Sequence, residues 1–199
     1  IKACEEIFSG KFKSSSKVVI EEYLDGEEMS YFVIVDKKTH KFFGSAQDHK
    51  RVGENDTGPN TGGMGAYSPS KIINNKLRKK IEKKIIQPTL LAMKKNNKPF
   101  RGFLYAGLMI KKNEPYLIEY NIRMGDPECQ AILPRLNCDL FEIINFAVND
   151  KLYKAEINWK NKKSICIVLC TKGYPNKYAK NLKITKLNNF NVNKNSHIF

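Results

Sequence analysis

Leu117-Ile118-Glu119-Tyr120-Asn121-Ile122-Arg123-Met124-Gly125-Asp126-Pro127-Glu128 alternates apolar and polar side chains from Ile118 to Arg123. As a strand it points Ile118, Tyr120 and Ile122 one way and Glu119, Asn121 and Arg123 the other. One face is then core, and the other carries a carboxylate, a carboxamide and a guanidinium in a row. A carboxylate beside an amide oxygen suits Mg²⁺, which takes one or two protein ligands and fills its shell from phosphates and water. Arg123 suits a phosphoryl group or an oxyanion. Gly125 lets backbone approach a ligand closely. Asp126-Pro127-Glu128 reads as helix N-cap, first helical residue and acidic first turn. The same run is equally compatible with an amphipathic strand of solvated charges ending in a capped helix.

Working outward, Gly102 to Ile110 is predicted as a strand, Asn113-Glu114-Pro115 as a turn, and Tyr116 to Arg123 as the return strand. Helices are predicted from Asp126 to Leu136 and from Asp139 to Asn149, with Asp139 as cap. Upstream, Leu77, Ile81 and Ile85 have helical spacing, which Pro88 should kink or interrupt before Leu90 to Met93. Val18 to Leu24, Met29 to Val35 and Lys41 to Ala46 read as three strands of an antiparallel meander, closed by turns at Asp25-Gly26 and Asp36 to Thr39. Residues 1–9 read as the tail of a helix and Lys11 to Ser16 as a polar linker. Periodicity vanishes from Gln47 to Ser68, a loop length that usually signals function or disorder. Beyond a boundary at Trp159 to Lys163, strands are expected at Ser164 to Thr171 and Leu182 to Leu187, with a turn at Gly173-Tyr174-Pro175.

The 199 residues are 41% hydrophobic and 11% aromatic, a globular balance. No apolar run nears the roughly 20 residues of a membrane-spanning helix. Net charge is +15, yet the basic residues are scattered, and Arg78-Lys79-Lys80, Lys83-Lys84 and Lys94-Lys95 read as a solvated helix face. No recognition motif supports nucleic-acid binding. Five cysteines without a C-x-x-C pair suggest a reduced, cytoplasmic chain, with Cys166 and Cys170 as ordinary buried thiols. The abrupt start at Ile1 and stop at Phe199 suggest a fragment of a longer protein.

The loop Gly58-Pro59-Asn60-Thr61-Gly62-Gly63-Met64-Gly65 has no Gly-Lys-Ser/Thr, so it is not a P-loop. Its glycines would still let N–H groups crowd around an anion, and the preceding Asp48-His49-Lys50-Arg51 adds cations. His49 suits hydrogen bonding or anion contact better than general-base work. Glu21, Glu22, Glu27 and Glu28 bracket a strand end and a turn. They read as exposed acids, or as a hinge that holds a nucleoside through backbone and carboxylates.

Three stretches together, Glu21 through Glu28, Gln47 through Tyr67 and Gly102 through Gln130, closely resemble the phosphoribosylamine–glycine ligase family of the ATP-grasp superfamily. The resemblance continues through Lys172-Gly173-Tyr174-Pro175. It implies an α+β ATP-grasp fold of antiparallel sheets with packed helices over residues 1–156, and the beginning of a small α+β or barrel-like C-terminal domain over 160–199. It also implies that ATP lies against Glu21, Glu22 and Leu24, with Glu28 on the ribose. Glu119 and Asn121 would hold Mg²⁺ or Mn²⁺ on the phosphates, and Arg123 and Gly125 would face the transferring phosphoryl group. Asp48, His49, Lys50, Arg51, Asn60, Thr61, Gly62, Gly63 and Asp126 would help hold glycine and 5-phosphoribosylamine. The implied partners are these small molecules, not nucleic acid or membrane.

Two departures from the superfamily pattern stand out. Many ATP-grasp enzymes carry a second acidic metal ligand on the strand before Glu-x-Asn, and the corresponding place here is near Gly107. The family's N-terminal domain, phosphate-contacting lysine and lid have no counterpart in the chain, so this polypeptide alone is expected to be inactive or nearly so.

Overall fold

The computed structural model describes residues 2–10, 17–185 and 195–199. Its sheet grows around β1, Glu27–Val35, in which Met29, Tyr31, Val33 and Val35 are buried on one face and Ser30, Phe32 and Ile34 on the other. A strand apolar on both sides must sit centrally. β2 (His40–Asp48) pairs antiparallel along one edge of β1 and β6 (Gly102–Lys111) along the other. β7 (Glu114–Asn121) follows β6 through a two-residue turn at Lys112 and Asn113, both with positive φ. β5 (Gly65–Ser68) pairs with β2, and β8 (Ser164–Ile167) pairs with β5. The order is β7-β6-β1-β2-β5-β8, and every pairing is antiparallel.

Helices cover both faces. Against Tyr31, Val33, Leu104 and Leu108 pack Leu77 and Ile81 of α2 (Asn75–Ile81), Ile85 and Ile86 of the turn after it, and Leu90 of α3 (Gln87–Lys95). Against Phe32, Phe43 and Tyr105 pack Ile132 of α4 (Glu128–Ile132), Ile143 and Ala147 of α5 (Leu140–Val148), and Leu152. Asn74 caps α2 by accepting from the Leu77 N–H at 2.9 Å, and Asp139 caps α5 by accepting from the Phe141 N–H at 2.7 Å. Asp36, 2% exposed, closes the β1–β2 turn by accepting from the Lys38, Thr39 and Leu152 N–H groups at 2.8, 2.6 and 2.9 Å.

Several sequence expectations are corrected. Val18 to Leu24 forms no strand: the edge of β1 opposite β2 is taken by β6, and Val19, Ile20 and Tyr23 lie more than 80% exposed. β-Propensity needs a ladder partner before it yields a strand. The supposed loop from Gln47 to Ser68 holds the end of β2, a small hairpin of β3 (Arg51–Gly53) with β4 (Thr57–Asn60), and β5. Pro88 does not break the helix. The turn Glu82–Ile86 widens so that the Gln87 N–H bonds the Glu82 carbonyl, and the helix continues into α3. Pro115 lies inside β7 rather than in the turn, which an edge strand tolerates.

The helix expected from Asp126 starts instead at Glu128, with Pro127 at the cap position and no side-chain cap bond, and it tightens to a 3₁₀ turn at Leu133–Arg135 around Pro134. The helix read over residues 1–9 is present as α1 (Lys2–Phe8). The linker at Lys11 to Ser16 lies outside the described residues. The last expected strand falls partly there, and its residues 182–185 are not in a strand. The strand at Ser164 ends at Ile167, leaving Cys170 exposed and Cys166 half-buried, and all five cysteines are free.

Candidate active site

The run that opened the sequence reading reaches its site through a β-bulge. Leu117 pairs with Leu108 but Glu119 pairs with Gly107, so Ile118 is an extra residue with no partner on β6. An unbulged β7 would keep Leu117, Glu119 and Asn121 on one side. The bulge reverses the alternation, so that Tyr120 faces the helices, bonding Thr89 Oγ1 at 2.6 Å and the Ile85 carbonyl at 3.3 Å, while Glu119 and Asn121 turn to the opposite face. There the Asn121 amide donates to Glu119 Oε1 at 3.1 Å. Ile118 and Ile122 are therefore not the core positions expected: they are 42% and 77% exposed.

Gly107 opposite Glu119 leaves the space that the Glu119 side chain uses, since a β-carbon there would lie 3.1 Å from Glu119 Cγ. Glu119 and Gly107 line a cleft with Glu28, Ser30, Asp48, Lys50 and Tyr105, drawn from β7, β6, β1, β2 and the link after β2. Lys50 Nζ pairs with Glu28 Oε2 at 3.1 Å. Burial pulls the Lys50 pKa down, but the Glu28 carboxylate outweighs it and the net shift is upward. Burial also pushes the Asp48 carboxyl up to about 7, with the Glu128 charge adding to it and Lys50 opposing. Asp48 Oδ1 has no hydrogen-bond partner.

The glycine loop docks on this cluster. Gly63, with φ of +126°, packs where a β-carbon would come within 2.6 Å of Pro127 Cδ, 3.0 Å of Asp48 Oδ1 and 3.2 Å of the Asp126 carbonyl oxygen. Only glycine fits both that torsion and that space. Thr61 secures the loop base, its N–H and hydroxyl both donating to the Lys50 carbonyl, while the Gly63 N–H donates to Thr61 Oγ1 at 3.0 Å. The Gly62 N–H donates to the Tyr174 hydroxyl at 3.3 Å.

Other expected site residues stand apart from the cleft or on its rim. Glu21 and Glu22 lie on an exposed non-strand segment and Leu24 is half-buried there. His49 is exposed beside the Tyr67 ring at 5.9 Å, and Arg51 donates to the Gly58 carbonyl within its own hairpin. Asn60 is exposed on β4. Asp126 accepts from Gln130 at 2.8 Å, and Arg123 donates to the Met124 carbonyl at 3.0 Å. The basic helix face is partly engaged: Arg78 stacks on Phe42 at 4.4 Å, and Lys80 and Lys84 converge on Glu114.

The sequence reading missed Ser30, Tyr105 and the burial of Glu128. Glu128 is 2% exposed and accepts from Ser30 Oγ at 2.9 Å. Its place beside a proline at a helix start gave no hint, because acids there normally face solvent. The one available signal was a polar Ser30 inside an otherwise apolar strand.

A carboxylate and a carboxamide stand side by side on the edge strand of an antiparallel sheet, the carboxylate sharing a cleft with a lysine, and with this geometry the family match defines an ATP-grasp protein. The chain belongs to the family described as phosphoribosylglycinamide synthetase, ATP-grasp (A) domain, whose model matches residues 1–129. It is 48% identical to phosphoribosylamine–glycine ligase of Brucella melitensis biotype 1, over 87% of this chain and 41% of that protein. The ligase of Agrobacterium fabrum is 46% identical, over 93% of this chain and 44% of its own length. Among solved structures, phosphoribosylamine–glycine ligase of Thermotoga maritima matches with a TM-score of 0.78 and 34% identity, over 89% of this chain and 45% of that one. The chain thus spans about two fifths of the length of the curated relatives it matches.

Proposed function

We propose that the protein containing this chain couples ATP cleavage to the joining of glycine and 5-phosphoribosylamine, forming glycinamide ribonucleotide, ADP and phosphate in purine biosynthesis. The observation that carries this is the meeting of three separate stretches: Glu28 and Ser30 line one cleft with Asp48, Lys50 and Glu119, Gly63 packs on Asp48, and Glu128 accepts from Ser30. The family membership and the names of the relatives support it. A cytoplasmic location accords with that chemistry, and no helix among the described residues is long and apolar enough to cross a membrane.

The reaction divides into two transfers. A glycine carboxylate oxygen attacks the γ-phosphorus and ADP leaves, giving glycyl phosphate. The amine of phosphoribosylamine then attacks the acyl carbon, phosphate leaves, and the amine proton is lost. Neither transfer needs a protein nucleophile; both need in-line placement, charge neutralisation and exclusion of water. Glu28 would take the ribose, Glu21, Glu22 and Leu24 the adenine side, and Arg123 with the Gly125 backbone the moving phosphoryl group. Asp48, Lys50, Thr61, Gly62, Gly63 and Asp126, with His49, Arg51 and Asn60 on the rim, would receive the two substrates.

A divalent cation fits the donor set. With the Asn121 amide nitrogen turned to Glu119, the carboxamide oxygen and the second carboxylate oxygen stay available, and both are hard donors. Mg²⁺ or Mn²⁺ held there would neutralise phosphate charge. No group of three or more His, Cys, Asp or Glu side chains placed to hold a metal occurs among the described residues, so the remaining ligands would come from phosphate and water.

In the full-length protein, Glu119→Gln is expected to lower ADP formation about 100-fold or more at saturating Mg·ATP, glycine and phosphoribosylamine. Phosphate release that ignores glycine in the parent protein would refute the ligase reading.

A further inference from the structure

Glu128 lies at the first position of α4, yet its side chain turns inward. Its Oε1 accepts from Ser30 on β1, and the same serine hydroxyl lies 3.0 Å from the Tyr105 hydroxyl on β6. The carboxylate is thereby tied to two neighbouring strands of the sheet, β1 and β6. Its other side lies against Gly125. A β-carbon on Gly125 would overlap the Glu128 carboxylate, 2.7 Å from Oε1 and closer still to Oε2, and its three nearest neighbours are all atoms of Glu128. Gly125 does not have a left-handed torsion, so what keeps residue 125 a glycine is the carboxylate lying against it. Gly125 in turn anchors α4, its carbonyl accepting from the Cys129 N–H at 2.9 Å. Arg123 and Met124 lie immediately before it. The following Asp126-Pro127 pair forms the surface on which Gly63 docks.

We propose that Glu128 is a positioning residue: clamped by Ser30 and seated on Gly125, it sets where the Arg123–Gly125 turn and the glycine loop meet, and so keeps ATP cleavage coupled to ligation. The inference rests on the ligase reading for its chemical consequence, not for its geometry. Glu128 touches no reacting atom in this scheme; it acts through the turn that would shield the acyl phosphate from water. Shortening it by one methylene withdraws the carboxylate from either Ser30 or Gly125. Glutamine keeps both the length and an oxygen that accepts from Ser30.

The test uses the full-length protein and the ratio of ADP formed to glycinamide ribonucleotide formed, which does not depend on how much of a variant is folded. The parent is expected at a ratio near one. Glu128→Asp and Glu128→Ala should raise the ratio severalfold and lower kcat about 100-fold, and Glu128→Gln should restore a ratio near one. A ratio that stays near one in the Asp and Ala variants overturns the proposal, as does an uncoupled Gln variant. Thermal unfolding of the parent, Gly125→Ala, Glu128→Ala and the double variant reads the interlock independently of the reaction. Gly125→Ala should destabilise the parent and add little in the Glu128→Ala background, whereas additive effects would overturn the interlock. A parent protein with no glycine-dependent turnover but with coupled unfolding would refute the ligase reading and leave the interlock standing.

Discussion

Asp48 ionises in the cleft only against burial. Burial, then the neighbouring Glu128 charge, raises its carboxyl from 3.8 to about 7. Because the folded chain holds this proton more tightly than the unfolded one, the contribution of Asp48 to stability is full below about pH 4 and is lost as pH rises through about 7. Asp48→Asn removes the titration. Unfolding midpoints measured from pH 4 to 8 should then lose this declining component, and the variant should be more stable than the parent at pH 8. A steeper decline in the variant would contradict the assignment. Glu82 behaves oppositely. Burial opposes ionisation, but hydrogen bonds from His40 at 2.6 Å and Tyr31 at 2.6 Å outweigh it and hold the pKa below 4.5. Its contribution is present above pH 4.5 and fades as pH falls through the lowered value.

Secondary-structure elements show where local sequence suffices. The Asp139 cap, the β1 strand and the amphipathic spacing of Leu77, Ile81 and Ile85 are local patterns, and the structure follows them. Asn74→Ala should cost about 1 kcal/mol, because the cap satisfies one orphan N–H of α2. Asp36→Ala should cost about 3 kcal/mol, since one buried carboxylate serves three backbone donors from two distant segments. Denaturant midpoints of the full-length protein would rank the two, and equal losses would count against this account of Asp36.

What sequence hides is whatever depends on a partner segment. Val18 to Leu24 has the composition of a strand without a neighbour, whereas β3 and β4 are strands of three and four residues with glycine and proline, too short to show a period. The facing of Glu119 and Asn121 was legible as alternation. The bulge that orients them was not, because it arises from register against β6. Glu128 is legible in the sequence only as the acid of a first helical turn, because its partner, Ser30, lies 98 residues away.

At the scale of the molecule, one sheet separates two cores that share no side chains. Ile86 lies in one and Ile132 in the other, both with no exposed surface. Either change to alanine should cost about 2–5 kcal/mol. The double variant should equal the sum of the singles within about 0.5 kcal/mol, as expected for distant sites without common partners. Coupling well beyond that would mean the sheet transmits strain between its faces. Of the 35 Lys and Arg residues behind the net charge of +15, Lys80 and Lys84 pair with Glu114 and Arg101 with Asp150.

The unpaired Ile118 has one more consequence. Because the strand changes phase at that residue, its outer half and the half that carries Glu119 and Asn121 are geared separately. Exchanging side chains between Glu114 and Leu117 leaves the aim of Glu119 and Asn121 untouched. Deleting residue 118 would remove the bulge and leave Glu119 opposite Gly107, whereas losing the bulge at full length would bring Glu119 opposite Ala106 and swing Glu119 and Asn121 through to the helix side.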